Sequence, residues 1–329
     1  MGTLDGYTCD VCGDMDSKVF DMKDFAPGST APPFHPWCRC ATCPYFADME
    51  GLGERFARDV ETGERYKVPG DMTYKQWKAK QDEQYGEGTV DKARKKVYNK
   101  NADMEQFSKY KGVLRELSPE TYDDFCRIKY EDPDGWENLK YQYRTLNRYE
   151  VKGDVPAKTI LELDNAAWYS KQKGFDFTKF SGKERRKLTK EISNGGNAAS
   201  MLLDGKVYFS HSKFGMRDSF ERGLYTGDYP PVVLSDKRKF DVLSLGDGIP
   251  RQYDTEAKFL EFVATIKKKN DTFTVTILSE KHICKSCLHV VSQFENMFPN
   301  STVNIVSGKQ NYNGSIDGLH TWKRRKKVK

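Results

Sequence analysis

No stretch of the 329 residues is long and apolar enough to span a membrane, which excludes a single-span or multi-span helical membrane protein. The first residues lack the apolar core of a secretory signal. They carry Asp5, Asp10, Asp14 and Asp16 instead, so no signal peptide is expected. Internal repeats and long low-complexity tracts are missing, which excludes a repeat array. A disulfide framework is missing too. Seven of the eight cysteines (all but Cys126) lie in close groups with x-x spacing or a nearby histidine, a pattern that suits metal sites in a reducing compartment. The protein is therefore expected to be made in the cytoplasm, with any export needing a specialised route or packaging into a particle.

What is present is a charged chain, 37% hydrophobic and 31% charged, with a net charge of +6. Its length suggests two domains or three small ones, with a buried core and polar connecting segments. The basic excess is uneven. Lys323, Arg324, Arg325, Lys326 and Lys327 crowd the last residues, Lys237, Arg238 and Lys239 form a second run, and Lys183 to Ser193 reads as a basic amphipathic helix. Such runs are either solvated faces or attractors of polyanions such as nucleic acid.

Four regions are expected: a Cys/His-rich module over 1–80, a helical segment over 81–150, a connector over 151–181, and an α/β domain with a basic tail over 182–329. Residues 82 to 102 are poor in apolar groups and read as a flexible connection. Ser118-Pro119-Glu120 reads as a helix start. Ala199 to Leu203, then Asp204-Gly205, then Lys206 to Phe209 reads as a hairpin with a two-residue turn. Residues 212 to 250 read as irregular.

The first module offers six candidate ligands for a structural zinc: Cys9, Cys12, His35, Cys38, Cys40 and Cys43. Six exceed the four that one tetrahedral ion takes. A proline-rich region with little core of its own would gain from a metal staple; the alternative is a set of buried reduced thiols.

Two further motifs belong together. Asp254-Thr255-Glu256 opens a helical segment in which Phe259, Leu260, Phe262, Val263 and Ile266 share one side. Cys284-Lys285-Ser286-Cys287 opens another, with Val290, Val291, Phe294 and Met297 at helical spacing. Between them Phe273, Val275 and Ile277 alternate with threonines, as in a strand. Two thiolates and one carboxylate from Asp254 would leave the fourth position of a zinc open, as catalytic sites require. Glu256 would stand beside the water there as general acid and base. His282 is a rival ligand or a pocket residue. Ser210 and His211, at the hairpin's end, are candidate substrate contacts. Taken singly, Asp-Thr-Glu reads as a helix cap with an acidic first turn, and Cys-x-x-Cys as a redox or structural pair.

Two resemblances follow. Asp10-Val11-Cys12, Asp16 to Phe20, Ala31 to Cys40 and Val68 to Trp77 resemble the C-terminal module of phage head-morphogenesis (minor capsid) proteins, over roughly residues 3 to 80. Tyr253 to Leu260, with Ser279-Glu280, Cys284, Cys287, Gln293 and Phe294, resembles the toxin-type bacterial members of the nucleoside/nucleobase deaminase superfamily, over roughly 180 to 310. Asp254 stands where the commoner signature has His, and Ile283 where it has Pro. The second resemblance implies a cytidine-deaminase-like α/β sandwich with zinc between two helices. It also implies Asp254, Cys284 and Cys287 as ligands, Glu256 as proton carrier, and cytosine in single-stranded DNA or RNA as substrate. Phage particle components and an immunity protein are the other partners expected, and virion association or delivery the fate. The alternatives are a structural head protein with a non-catalytic zinc domain, a thiol oxidoreductase, or a deaminase of another base.

Overall fold

The computed structural model describes residues 1–46, 48, 53–213 and 224–310. It divides into two compact units, Met1–Lys109 with Glu120–Trp136, and Tyr110–Pro119 with the chain from Glu137 onward. Among the described residues no helix is long and apolar enough to cross a membrane.

The first unit opens with α1 (Asp10–Met15) and a hairpin of β1 (Glu54–Arg58) and β2 (Arg65–Pro69). Helices α2 (Tyr74–Tyr85), α3 (Thr89–Tyr98), the start of α4 (Lys100–Leu114) and α5 (Tyr122–Glu131) follow. A reciprocal capping box between Thr73 and Gln76 starts α2. The core is small: Leu4, Ala57, Val68, Met72, Tyr74, Trp77 and Val90. Asp16 ties it together, since one buried carboxylate accepts from the Gly2 and Tyr74 amides and from Arg55. Residues 89 to 98 form a helix where the sequence predicted a flexible connection. Val90 is fully buried, and Asp91 pairs with Lys78 and Arg94. One anchored apolar residue and a salt-bridge pair thus outweigh a polar composition. Helix α5 starts at Thr121, whose hydroxyl accepts the Asp124 amide, three residues later than Ser118-Pro119 suggested.

The second unit is a mixed α/β fold around one five-stranded sheet, as expected for a deaminase-like domain. Its strands are β3 (Tyr149–Lys152), β4 (Ala198–Leu203), β5 (Lys206–His211), β6 (Phe273–Ser279) and β7 (Ser301–Gly308), in the order β3-β7-β6-β4-β5. Only β6 and β7 run parallel, joined by a helical crossover. The β4–β5 turn has positive φ at both Asp204 (50°) and Gly205 (73°), the conformation that a two-residue hairpin with the natural strand twist demands. Helix α6 (Pro133–Leu146) leads into β3, and α7 (Ala157–Lys173) and α8 (Gly182–Ile192) precede the hairpin. Two more helices, α9 (Thr255–Ile266) and α10 (Lys285–Met297), carry the paired motifs.

The period-two alternation of strands sorts the faces. Ala199, Met201, Leu203, Val275, Ile277, Val303 and Ile305 meet Phe259, Leu260, Val263, Val290, Val291 and Phe294 of α9 and α10. On the other face, the Ser200 hydroxyl donates to the Leu163 carbonyl of α7, with Leu278 and Val306 buried beside it. The stretch 151–181, which reads in sequence as a connector, therefore supplies the end of an edge strand and the helix that covers one face. Residues 224–250 are irregular, as expected.

Candidate active site

Helices α9 and α10 begin side by side at one end of the sheet, and each starts on a chemical group. Asp254 occupies the cap position of α9, but its carboxylate makes no capping bond. That side chain turns to the neighbouring helix. Its Oδ2 lies 3.4 Å from Cys284 Sγ and 3.5 Å from Cys287 Sγ, and the two sulfurs are 3.5 Å apart. Cys284 is itself the cap of α10, with its Sγ accepting the Cys287 amide at 3.4 Å. The reading of Asp-Thr-Glu as a mere cap thus fails at its first residue.

Three donors in a triangle of that edge accept an ion at about 2.0–2.3 Å from every corner, the distances zinc makes to oxygen and sulfur. The charges point the same way. Hydrogen bonding from Cys287 holds the Cys284 thiol below its usual pKa, while Cys287 is pushed well above its own by Cys284, burial and the two carboxylates. So many acidic groups in one buried spot need a cation to ionise together. The donor set fits zinc, and Asp254, Cys284 and Cys287 are the residues that could hold it.

Glu256 sits in the first turn of α9, 3% exposed, with Oε2 3.6 Å from Cys287 Sγ. Burial pushes its carboxyl above the usual range, with the charge of Asp254 adding to the effect and the Ser279 and Thr255 hydroxyls opposing it. The Thr255 hydroxyl donates to Glu256 Oε2 at 2.9 Å. Asn197, just before β4, donates through Nδ2 to both Thr255 Oγ1 and Ser279 Oγ at 2.9 Å, and its Oδ1 accepts the Lys281 amide. This polar chain locks the carboxylate's surroundings from three separate elements.

Above these groups lies an open cleft of about 290 Å³, at the small end of ligand pockets. Asp254, Glu256, Cys284 and Cys287 form its floor, and Gly196, Asn197, Ser212, Lys213, Ile249, Pro250, Arg251, Tyr253, Lys281 and His282 its walls. His282 therefore lines the cleft and is not grouped with the metal donors. Arg251 pairs with Asp247 and lies 3.8 Å from Asp254.

Other residues singled out in the sequence stand elsewhere. Ser210 is fully buried and donates to the Val232 carbonyl. His211 is also fully buried, its ring against the Gly195 carbonyl and its Nδ1 accepting the Lys213 amide. Burial, aided by Lys171 and Lys258, depresses its pKa to about 3. It is neutral near pH 7 and does not line the cleft. Arg238 donates to the Phe240 carbonyl and faces Glu261, and Lys239 bonds the Ala264 carbonyl. These two serve the fold's own polar groups, while Lys237 is exposed. Lys323, Arg324, Arg325, Lys326 and Lys327 lie outside the described residues.

In the first unit, five of the six candidate ligands gather in two overlapping groups, Cys9, Cys12 and His35, and Cys12, Cys38 and Cys40. Cys43 is exposed and belongs to neither. Sequence reasoning missed Asn197, Lys213 and Lys281. An Asn just before a strand, after Gly195-Gly196, reads equally well as a helix stop; only the pairing of β4 with β6 brings it to Ser279.

No curated protein and no solved structure matches the chain. Residues 185–309 match the toxin-deaminase model, described as the BURPS668_1122 family of deaminases, which supports reading this part of the chain as a deaminase.

Proposed function

We propose that the second unit catalyses zinc-dependent hydrolytic deamination of a nucleobase, cytosine to uracil in single-stranded nucleic acid. The observation that carries this reading is Glu256. It is a buried carboxylate with a raised pKa, held beside three metal donors but not needed to complete them, on the floor of an open cleft. A purely structural metal site has no use for such a group.

A zinc ion held by Asp254, Cys284 and Cys287 would supply the Lewis acidity that makes water a nucleophile near neutral pH. Glu256 takes a proton from that water, gives it to the ring nitrogen as C4 is attacked, and carries a second to the leaving amine. Water and cytosine become uracil and ammonia. The raised pKa suits a group that must act first as base and then as acid. Lys213, Arg251 and Lys281 around the cleft favour a phosphate-bearing substrate. Single strands spare the cost of extruding a base from a duplex. The resemblance of residues 3 to 80 to phage head modules supports delivery as a toxin-like effector, with an immunity protein in the producing cell.

The test is to express the protein in cells lacking uracil repair and sequence their DNA, alongside deamination assays on single-stranded DNA, RNA and free nucleotides. Glu256→Gln is expected to lower uracil formation by at least about 10²-fold while zinc content and folding stay unchanged. Failure of the unmutated protein to deaminate any of these substrates would refute the reading.

A further inference from the structure

The cysteines and histidine of the first unit play no part in the chemistry of the cleft. We propose that Cys9, Cys12, His35 and Cys38 bind one zinc ion in a closed four-ligand site that organises the segment from residue 17 to residue 46. Three of these donors, Cys9, Cys12 and His35, are already gathered, and Cys38 touches Cys12 from a second group. His35 Nε2 lies 3.0 Å from both Cys9 Sγ and Cys12 Sγ, and Cys12 Sγ lies 3.6 Å from Cys38 Sγ. His35 Nδ1 is 2.6 Å from the Pro36 carbonyl, a contact that places its proton on Nδ1 and leaves the Nε2 lone pair for the thiol cluster. That arrangement is how metal-binding histidines are oriented.

The rest of this segment shows why it needs the ion. From residue 17 to residue 46, Ala31 is the sole buried residue, and Trp37 is 96% exposed. No apolar core offsets the entropy of ordering these thirty residues. Their ties to the unit are few: Arg39 grips Asp5 through two bonds of 2.6 and 2.7 Å, Met1 and Ala41 exchange two backbone hydrogen bonds, and the thiol–imidazole cluster joins Cys9 and Cys12 to His35 and Cys38. A metal that binds the folded donors alone stabilises such a segment directly. A tetrahedral ion takes four ligands, so one thiol among the five donors gathered here, four thiols and an imidazole, is surplus. Cys38 and Cys40 both lie against Cys12; Cys38, whose Sγ is 3.6 Å from Cys12 Sγ, is assigned as the fourth ligand, with Cys40 as its neighbour and Cys43 outside.

The test uses the full chain and reads metal content, not activity, so it stands apart from the deaminase reading. In a Cys284→Ser, Cys287→Ser background, which disables the cleft donors, zinc measured by mass spectrometry is expected at one ion per chain. Adding Cys12→Ser is expected to bring it near zero and to open residues 17–46 to limited proteolysis. Adding Cys43→Ser or Cys40→Ser should leave it at one. To separate ligand loss from misfolding, Cys38→His, which preserves a donor, should keep the ion, and its cobalt-substituted form should keep a tetrahedral absorption spectrum. Zinc near zero in the cleft-disabled background, or zinc undiminished by Cys12→Ser, overturns the proposal. Loss with Cys40→Ser but not with Cys38→Ser overturns the ligand set.

Discussion

The chain uses the same device twice. Cys9-x-x-Cys12 and Cys284-x-x-Cys287 each place the first cysteine at a helix cap, with φ, ψ of −74°, 166° and −83°, 163°. In both, the capping sulfur accepts the amide three residues on at 3.4 Å. The backbone is the same, so the difference lies in what each pair meets. The N-terminal pair meets an imidazole and more thiols, and its grouped donors are all Cys and His. The C-terminal pair meets one carboxylate, a second buried carboxylate two residues on, and an open cleft. A Cys-x-x-Cys turn only aims two sulfurs; the third donor, and the space above it, decide whether a metal would be enclosed or left reachable.

That contrast can be broken or sharpened at several points. The largest effect after loss of Glu256 is expected from Asp254→Ala. Removing the third donor from the open site should cost several kcal/mol of rate acceleration, at least about 10²-fold, together with the cleft zinc. The N-terminal ion should stay, and a fall in total zinc by two ions would erase the distinction between the sites. A smaller effect is expected at Thr255→Val, which removes the hydroxyl donating to Glu256 Oε2 but no metal donor. At least about tenfold in kcat with little change in KM is expected, from roughly 1.5–3 kcal/mol for one hydrogen bond to a charged group. Thr255→Ser should restore it, and the zinc content should not move.

The smallest concerns the histidines, one facing thiols and one locked in the second unit. His211 has its pKa lowered to about 3, whereas the unfolded chain protonates near 6.5. The unfolded state thus binds more protons between those values, and the stabilising effect, complete above about pH 6.5, is lost as pH falls toward 3. From pH 7 to pH 5 this amounts to at most about 2 kcal/mol. Urea midpoints for His211→Gln should fall less over that interval than those of the unmodified chain; equal falls would show that His211 is not the group responsible.

Local signals were readable in the sequence because local physics produces them. Asp204-Gly205 between apolar runs can hardly be other than a tight hairpin, and helical spacing after Asp254 and Cys284 fixed where α9 and α10 begin. The pairing of Asp254 with Cys284 and Cys287 was legible because each motif is incomplete alone. What could not be read was set by contacts distant in sequence. Arg238 and Lys239 look like a free basic run until Glu261 and Ala264 are beside them. Ser210 and His211 alternate along a strand whose sequence does not say which neighbours cover it. Cys43 has the same spacing logic as Cys38 and Cys40, yet the chain leaves it exposed. Asn197 matters only once β4 and β6 lie side by side.

The edge strand β3 carries a practical consequence for anyone who would cut this protein apart. The family match begins at residue 185, but β3 and α7 lie before it and complete the sheet of the same unit. A fragment trimmed to the match would strip β7 of its partner along Tyr149–Lys152 and bare the face that α7 covers. Unpaired strand edges and uncovered apolar faces are templates for intermolecular pairing. Such a fragment would meet other copies of itself before it met a substrate, so the excisable module is larger than the recognisable one.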